Sequence, residues 1–127
     1  MNFRELYQTA RETLQPRALS EYAQAGQVAA ALEAGNGKIY TGVCIDAACS
    51  VGFCAEHAAI AAMVTSGENK IEKIVAVGED GHIMPPCGRC REFISLIHPA
   101  NYEETKVMLS FDKSVLLKDI LPYDWKE

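Results

Sequence analysis

Two short segments concentrate residue types that do chemistry: Cys54-Ala55-Glu56-His57, and Pro86-Cys87-Gly88-Arg89-Cys90. Cys87 and Cys90 are three positions apart, so one helical turn presents both sulfurs on the same face. Between Cys54 and Cys87 lie 32 residues, room for the rest of one helix, a strand and a return loop. Both segments are expected to open helices that follow strands, which is the sheet edge where open α/β folds bind ligands. Free N–H groups at a helix start favour anionic side chains and lower the pKa of a thiol. Thiolates from Cys54, Cys87 and Cys90 at ~2.3 Å would hold zinc and leave its fourth tetrahedral position open, as a catalytic site requires. Glu56, two positions after a ligand, would stand beside that opening without being a ligand. Zinc brings the pKa of water toward ~7, and a neighbouring carboxylate can shuttle the protons.

Plainer readings of the same residues stand beside this one. His57, three positions past Cys54, could close the metal site as a fourth ligand and make it purely structural. Cys-Gly-Arg-Cys could be a redox pair, although Pro86 stands where the preceding aromatic of such pairs is expected. Glu56 alone could be a solvated helix residue, and Cys44 and Cys49 packed small hydrophobes. His82 and His98 read as surface residues, and Phe53, Tyr123 and Trp125 could serve packing alone.

The chain is 127 residues long, with 12 Lys and Arg against 17 Asp and Glu, for a net charge of −5. That length predicts a single domain over residues 1–127, large enough for a core without staples. The acidic balance argues against a nucleic-acid polymer as partner, which would need clustered Lys and Arg. No apolar run approaches a membrane span, and the N-terminus Met1 to Leu6 has no apolar signal core, so a cytoplasmic location is expected. Five cysteines in a reducing compartment point to metal or thiol chemistry rather than to disulfides.

Periodicity supplies the elements that must position the two segments. Helical spacing over 3–14 ends at Pro16, and a second short helix is expected over 17–24. Val28 to Leu32 reads as a buried strand, because Gly35-Asn36-Gly37 is hairpin chemistry and 38–45 returns as its partner. A helix over 54–66, a strand over 71–77, a helix at 88–97 and a strand over 106–111 follow. Residues 115–121 read as a last short helix or turn. The alternation implies a three-layer α/β/α sandwich around a mixed sheet of about five strands.

Cys-Ala-Glu followed by Pro-Cys-Gly-x-Cys resembles the zinc-dependent cytidine deaminase superfamily, a signature known with a three-cysteine variant. Val28-Ala29-Ala30-Ala31-Leu32, Gly37 to Gly42, Cys54 to Glu56, Pro86 to Arg91 and Leu121-Pro122 occur in the order of its small branch. Cys-Gly-Arg-Cys-Arg with the late Trp125 leans toward blasticidin S deaminases within that branch. The resemblance implies one Zn²⁺ per chain on Cys54, Cys87 and Cys90, and Glu56 as the proton shuttle. It also implies a small nucleoside-like substrate, no membrane, and a homotetramer whose neighbouring subunits complete each site. The activity implied is hydrolytic: the amino group of a cytosine nucleoside or analogue (cytidine, deoxycytidine or blasticidin S type) becomes a carbonyl and ammonia leaves. Deamination of another small amino-heterocycle, or a non-catalytic zinc-stabilised binding protein, are the alternatives.

Departures from the resemblance fall on specificity rather than on chemistry. The family's Asn-x-Glu pair, which holds a ribose, is replaced by Cys44 and Asp46. Gly26 stands where an aromatic residue commonly stacks on the base, and His57 where an Arg usually follows Cys-Ala-Glu. Cys44, Asp46, Phe53, Ala55 and Trp125 are therefore the expected substrate contacts. A divalent ion on three thiolates carries one net negative charge, which nearby donors must offset. Arg89, between two ligands, is the first candidate for that role and His57 the second.

Overall fold

The computed structural model describes residues 1–126. Its elements run α1 (Phe3–Thr13), β1 (Arg17–Ser20), β2 (Ala23–Ala34), β3 (Ile39–Ala47), α2 (Ala55–Thr65) and β4 (Ile71–Gly78). They continue as α3 (Gly88–Ile97), α4 (Asn101–Glu104), β5 (Lys106–Ser110) and β6 (Lys113–Leu116), with 3₁₀ turns at Ala48–Ser50 and Leu117–Ile120. β2 is the spine of the sheet. It pairs antiparallel with β3 along one edge and with β1 and β4 along the other. β4 then pairs parallel with β5 across the α3 crossover, and β5 antiparallel with β6.

The side-chain alternation of β2 explains the layers. Ala29 and Ala31 face α1, where they meet Leu6, Tyr7 and Ala10 together with Val75 and Val77 of β4. Ala30, Leu32 and Ala34 face the other way, toward Ala59, Ile60 and Met63 of α2 and Ile94 of α3. The small side chains of β2 thus let helices close in on both faces, and the α/β/α sandwich is observed as expected. α1 starts on Asn2, whose side chain accepts the Glu5 backbone N–H at 2.9 Å, and Tyr7 donates its hydroxyl to the Gly81 carbonyl at 2.6 Å.

Three expectations are corrected. Residues 17–24 form β1 and the start of β2, not a helix. Every residue of β1 is exposed, so no apolar stripe marks it, and pairing of Arg17 with Ala25 and Ala18 with Gln24 decides its shape. Residues 113–116 form β6 ahead of the 3₁₀ turn, which with β1 makes the sheet six-stranded rather than about five. The short α4 carries no periodic signal of its own; it is built around the buried Asn101, which accepts from Ile71 N at 3.0 Å and donates to the Ile94 carbonyl at 2.9 Å.

Candidate metal centre and active site

The two chemical segments meet because of strand direction. β3 and β4 both run antiparallel to β2, so their C-terminal ends lie at the same edge of the sheet. A bridge then pins the loop that follows each strand. Phe53 returns to pair with Ile45, its N–H reaching the Ile45 carbonyl at 2.9 Å, and hands the chain to Cys54 at the start of α2. Ile83 returns to Val77, Met84 N reaches the Ala76 carbonyl at 2.9 Å, and Pro85-Pro86 deliver Cys87 to the start of α3. Arg91 fixes the second loop, donating from Nε to the Pro86 carbonyl at 2.8 Å and from Nη1 to the Ile120 carbonyl at 2.9 Å.

α2 sits unusually close to the sheet. A Cβ on Gly42 of β3 would lie 2.4 Å from Ala59 N and 2.5 Å from Ala58 Cβ, so only glycine admits this approach. That contact sets the height of Cys54 and Glu56 above the sheet edge.

At this edge the Cys87 sulfur lies 3.5 Å from Cys54 Sγ and 3.5 Å from Cys90 Sγ. Ligands at ~2.3 Å around a tetrahedral ion stand ~3.8 Å apart, so the donor set fits zinc with only small adjustment. His57 Nδ1 lies 3.4 Å from Cys90 Sγ, and the donor atoms of Cys54, His57 and Cys90 are all within 4.8 Å of one another. The His57 ring stacks on Phe93 with centroids 4.6 Å apart, which fixes its plane.

The electrostatics separate the three thiols. Burial works against the Cys87 thiolate, yet the Cys90 and Arg89 backbone N–H groups and the neighbouring thiols outweigh it, and its pKa falls below the usual thiol value. Burial first, then the neighbouring sulfurs and Glu56, push Cys54 and Cys90 upward. A divalent cation removes that penalty, since metal binding selects the thiolate. Glu56 is only 5% exposed, and burial raises its pKa above the ordinary carboxylate range. His57 is pushed down by burial and by the Arg89 charge, which favours the neutral imidazole.

A cavity of about 480 Å³ opens beside the cluster, within the size range of small-molecule sites. Cys54, Cys87 and Glu56 border it, with Arg89 exposed at its wall. Cys44, Asp46, Phe53 and Ala55 also line it. Trp125 does not: it is 70% exposed and donates Nε1–H to Glu92 of α3 at 2.7 Å, away from this chain's own cavity wall. Gly26 has a positive φ of 88°, and a Cβ there would lie 1.8 Å from the Gln15 carbonyl oxygen. The missing aromatic is thus a consequence of the 15–16 segment packing over β2. Gln27, Met84 and Pro85 line the cavity without having been anticipated. The signal for Gln27 was present, as a lone amide heading the alanine run of β2.

Other cysteine and histidine expectations resolve simply. All five cysteines are free thiols, Cys44 buried and Cys49 exposed. His82 is exposed and pairs with Asp80, whereas His98 is half-buried and accepts the Ala100 N–H at 2.9 Å.

Three thiols and a buried carboxylate beside a cavity, at the shared C-terminal edge of two strands, define a zinc-dependent hydrolytic deaminase with one Zn²⁺. Comparison with known proteins agrees. The family model for the cytidine and deoxycytidylate deaminase zinc-binding region matches residues 4–102, and the chain belongs to that family. Among solved structures, it is similar to the cytidine deaminase of Mycobacterium tuberculosis at 23% identity, with 98% of each chain covered and a TM-score of 0.81. The Mycobacterium leprae cytidine deaminase is 24% identical, over 96% of this chain and 98% of its own, with a TM-score of 0.79. That of Burkholderia pseudomallei is 25% identical, over 97% and 98%, with a TM-score of 0.72.

Proposed function

We propose that the protein converts the amino group of a cytosine nucleoside or cytosine-nucleoside analogue, of the cytidine, deoxycytidine or blasticidin S type, to a carbonyl. One water is consumed, the bond from the ring carbon to its exocyclic amino nitrogen is replaced by a bond to oxygen that becomes the carbonyl, and ammonia leaves. The observation that carries this reading is the buried Glu56 carboxyl on the wall of the cavity that the Cys54 and Cys87 sulfurs also border. Cys54, Cys87 and Cys90 would hold the ion, and since a deaminase needs one position left for water, His57 would serve as a hydrogen-bond donor to Cys90 rather than as a ligand. Zinc, when bound, supplies a water activated for attack on the amino-bearing carbon.

The chain's own residues do the rest. Glu56, with its pKa raised by burial, is suited to give a proton to the ring nitrogen and to pass another to the departing amine. Ala55 and Phe53 flank the entry to α2 and bear on the base, while Cys44 and Asp46 face the part of the substrate beyond the ring. Trp125, exposed in the C-terminal segment beside Glu92 of α3, serves a neighbouring subunit's site in a homotetramer. Exposed Tyr22 and Val51, at 68% and 71%, support such an assembly. A cytoplasmic setting keeps the five thiols reduced. Among the described residues, no helix is long and apolar enough to cross a membrane.

Glu56→Gln tests the reading. The variant is expected to keep one zinc per chain and to lose nearly all ammonia release from a panel of cytidine, deoxycytidine and blasticidin S. Turnover in the variant equal to that of wild type would remove Glu56 as the proton-carrying group and overturn this reading of the site. Wild-type protein that releases no ammonia from the whole panel would remove this substrate class and turn the search to other amino-heterocycles.

A further inference from the structure

β2 is not a regular strand where it passes the cavity. Its pairing with β3 shifts register between Ala25 and Ala29. The bulge is anchored by Gln15 N donating to the Gly26 carbonyl at 3.1 Å. Bulges re-aim side chains, and here the residue carried by the bulge is Gln27, half-buried in the cavity lining. The Cys44 thiol on the neighbouring strand donates to Gln27 Oε1 at 3.5 Å, which fixes one end of the amide. None of the hydrogen bonds among the described residues uses the other end, Nε2. The remaining polar side chains of the wall differ in kind: Asp46 and Glu56 are carboxylates, and Ser50 and Arg89 are exposed. Gln27 is thus the neutral, half-buried donor of the cavity, already oriented and with two N–H groups to spend.

We propose that Gln27 is a specificity-determining residue: Nε2 of its amide, oriented by the Cys44 thiol, binds a hydroxyl or carbonyl acceptor on the non-reacting part of the substrate. The inference rests on the deaminase reading above and deepens it. It selects ring substrates that carry a hydroxylated or carbonyl-bearing substituent over the bare heterocycle, because the latter leaves a desolvated donor unpaired.

The test compares ammonia release from cytidine, 2′-deoxycytidine and free cytosine by zinc-loaded wild type, Gln27→Ala and Gln27→Glu. Wild type is expected to prefer a nucleoside over cytosine, and Gln27→Ala to shrink that ratio of kcat/KM about tenfold, carried in KM rather than in kcat. Gln27→Glu keeps the length and removes both N–H donors, so it is expected to shrink the ratio similarly. It decides the matter should the alanine variant melt early. A ratio within about twofold of wild type in a folded variant overturns the inference while leaving the deaminase reading intact. A wild type with no preference for either nucleoside over cytosine overturns it as well. No ammonia from any of the three probes overturns this inference, and the substrate reading falls with it only where blasticidin S releases none either.

Discussion

With Cys54, Cys87 and Cys90 as the proposed zinc ligands, His57 and Arg89 stand where the charge of three thiolates would have to be balanced, and they would do so differently. His57 Nδ1 is 3.4 Å from the Cys90 sulfur, whereas Arg89 is exposed and is felt as a charge that lowers the His57 pKa. The donor in contact with sulfur should matter more, because a hydrogen bond to a ligand tunes the ion directly. His57→Phe keeps the stack on Phe93 and removes the donor. It is expected to retain one zinc per chain while losing about 10- to 100-fold in turnover. Its activity should move to higher pH, since a more electron-rich sulfur makes the ion a weaker acid. Arg89→Ala is expected to move the profile the same way by a smaller amount. Zinc content measured alongside pH–rate profiles separates the roles: loss of zinc from His57→Phe would make that histidine a ligand. Cys54, Cys87, Cys90 and Glu56 were legible because their spacing repeats a local pattern. Gln27 shows in the sequence as no more than a lone amide heading the alanine run, and the role of Arg91 stays hidden, because Cys44 and Ile120, which help to fix them, lie 17 and 29 residues away.

The helices and strands show the same division between local and distant causes. α1, α2 and α3 and the buried strands β2, β4 and β5 announce themselves by apolar spacing, turn glycines and prolines. β1 and the exposed half of β6 have no apolar stripe, so only edge pairing makes them strands. The close seating of α2 on β3 is likewise invisible in sequence beyond a single glycine, and it carries a consequence. Gly42→Ala would place a methyl against the backbone of α2 at 2.4 Å from Ala59 N. Since that neighbour is backbone and not a flexible tip, the helix has to lift. Overpacking of this kind costs about 1–3 kcal/mol. Cys54 and Glu56 ride on the same helix end, so weaker zinc binding is expected together with a lower melting temperature. Thermal melts and zinc competition read both, and a variant with wild-type values in each would show that the approach is not constrained.

For the molecule as a whole, the zinc cluster acts as a fastening between two helices that otherwise touch little. Cys54 opens α2 and Cys87 opens α3, 33 residues apart, and the two helices share few contacts away from this edge. One exposed, one half-buried and one buried thiol, two of them with pKa values pushed up, are poor neighbours for one another without a cation. Zinc binding therefore adds directly to folding free energy: at a thousandfold excess over its dissociation constant the ion stabilises by about 4 kcal/mol. Removing it with a chelator is expected to lower the melting temperature by roughly 15 °C in a chain of this size, and returning zinc to restore it. Cys54→Ser should start near the chelated value and respond weakly to added zinc, because the bridge between the helices is cut at one end. Glu56→Gln, which leaves every sulfur in place, should melt near or above wild type and respond fully. Differential scanning calorimetry on the three proteins, with and without chelator, reads all of these values. If chelation empties the site and leaves every melting temperature where it was, the cluster fastens nothing and its cysteines serve chemistry alone.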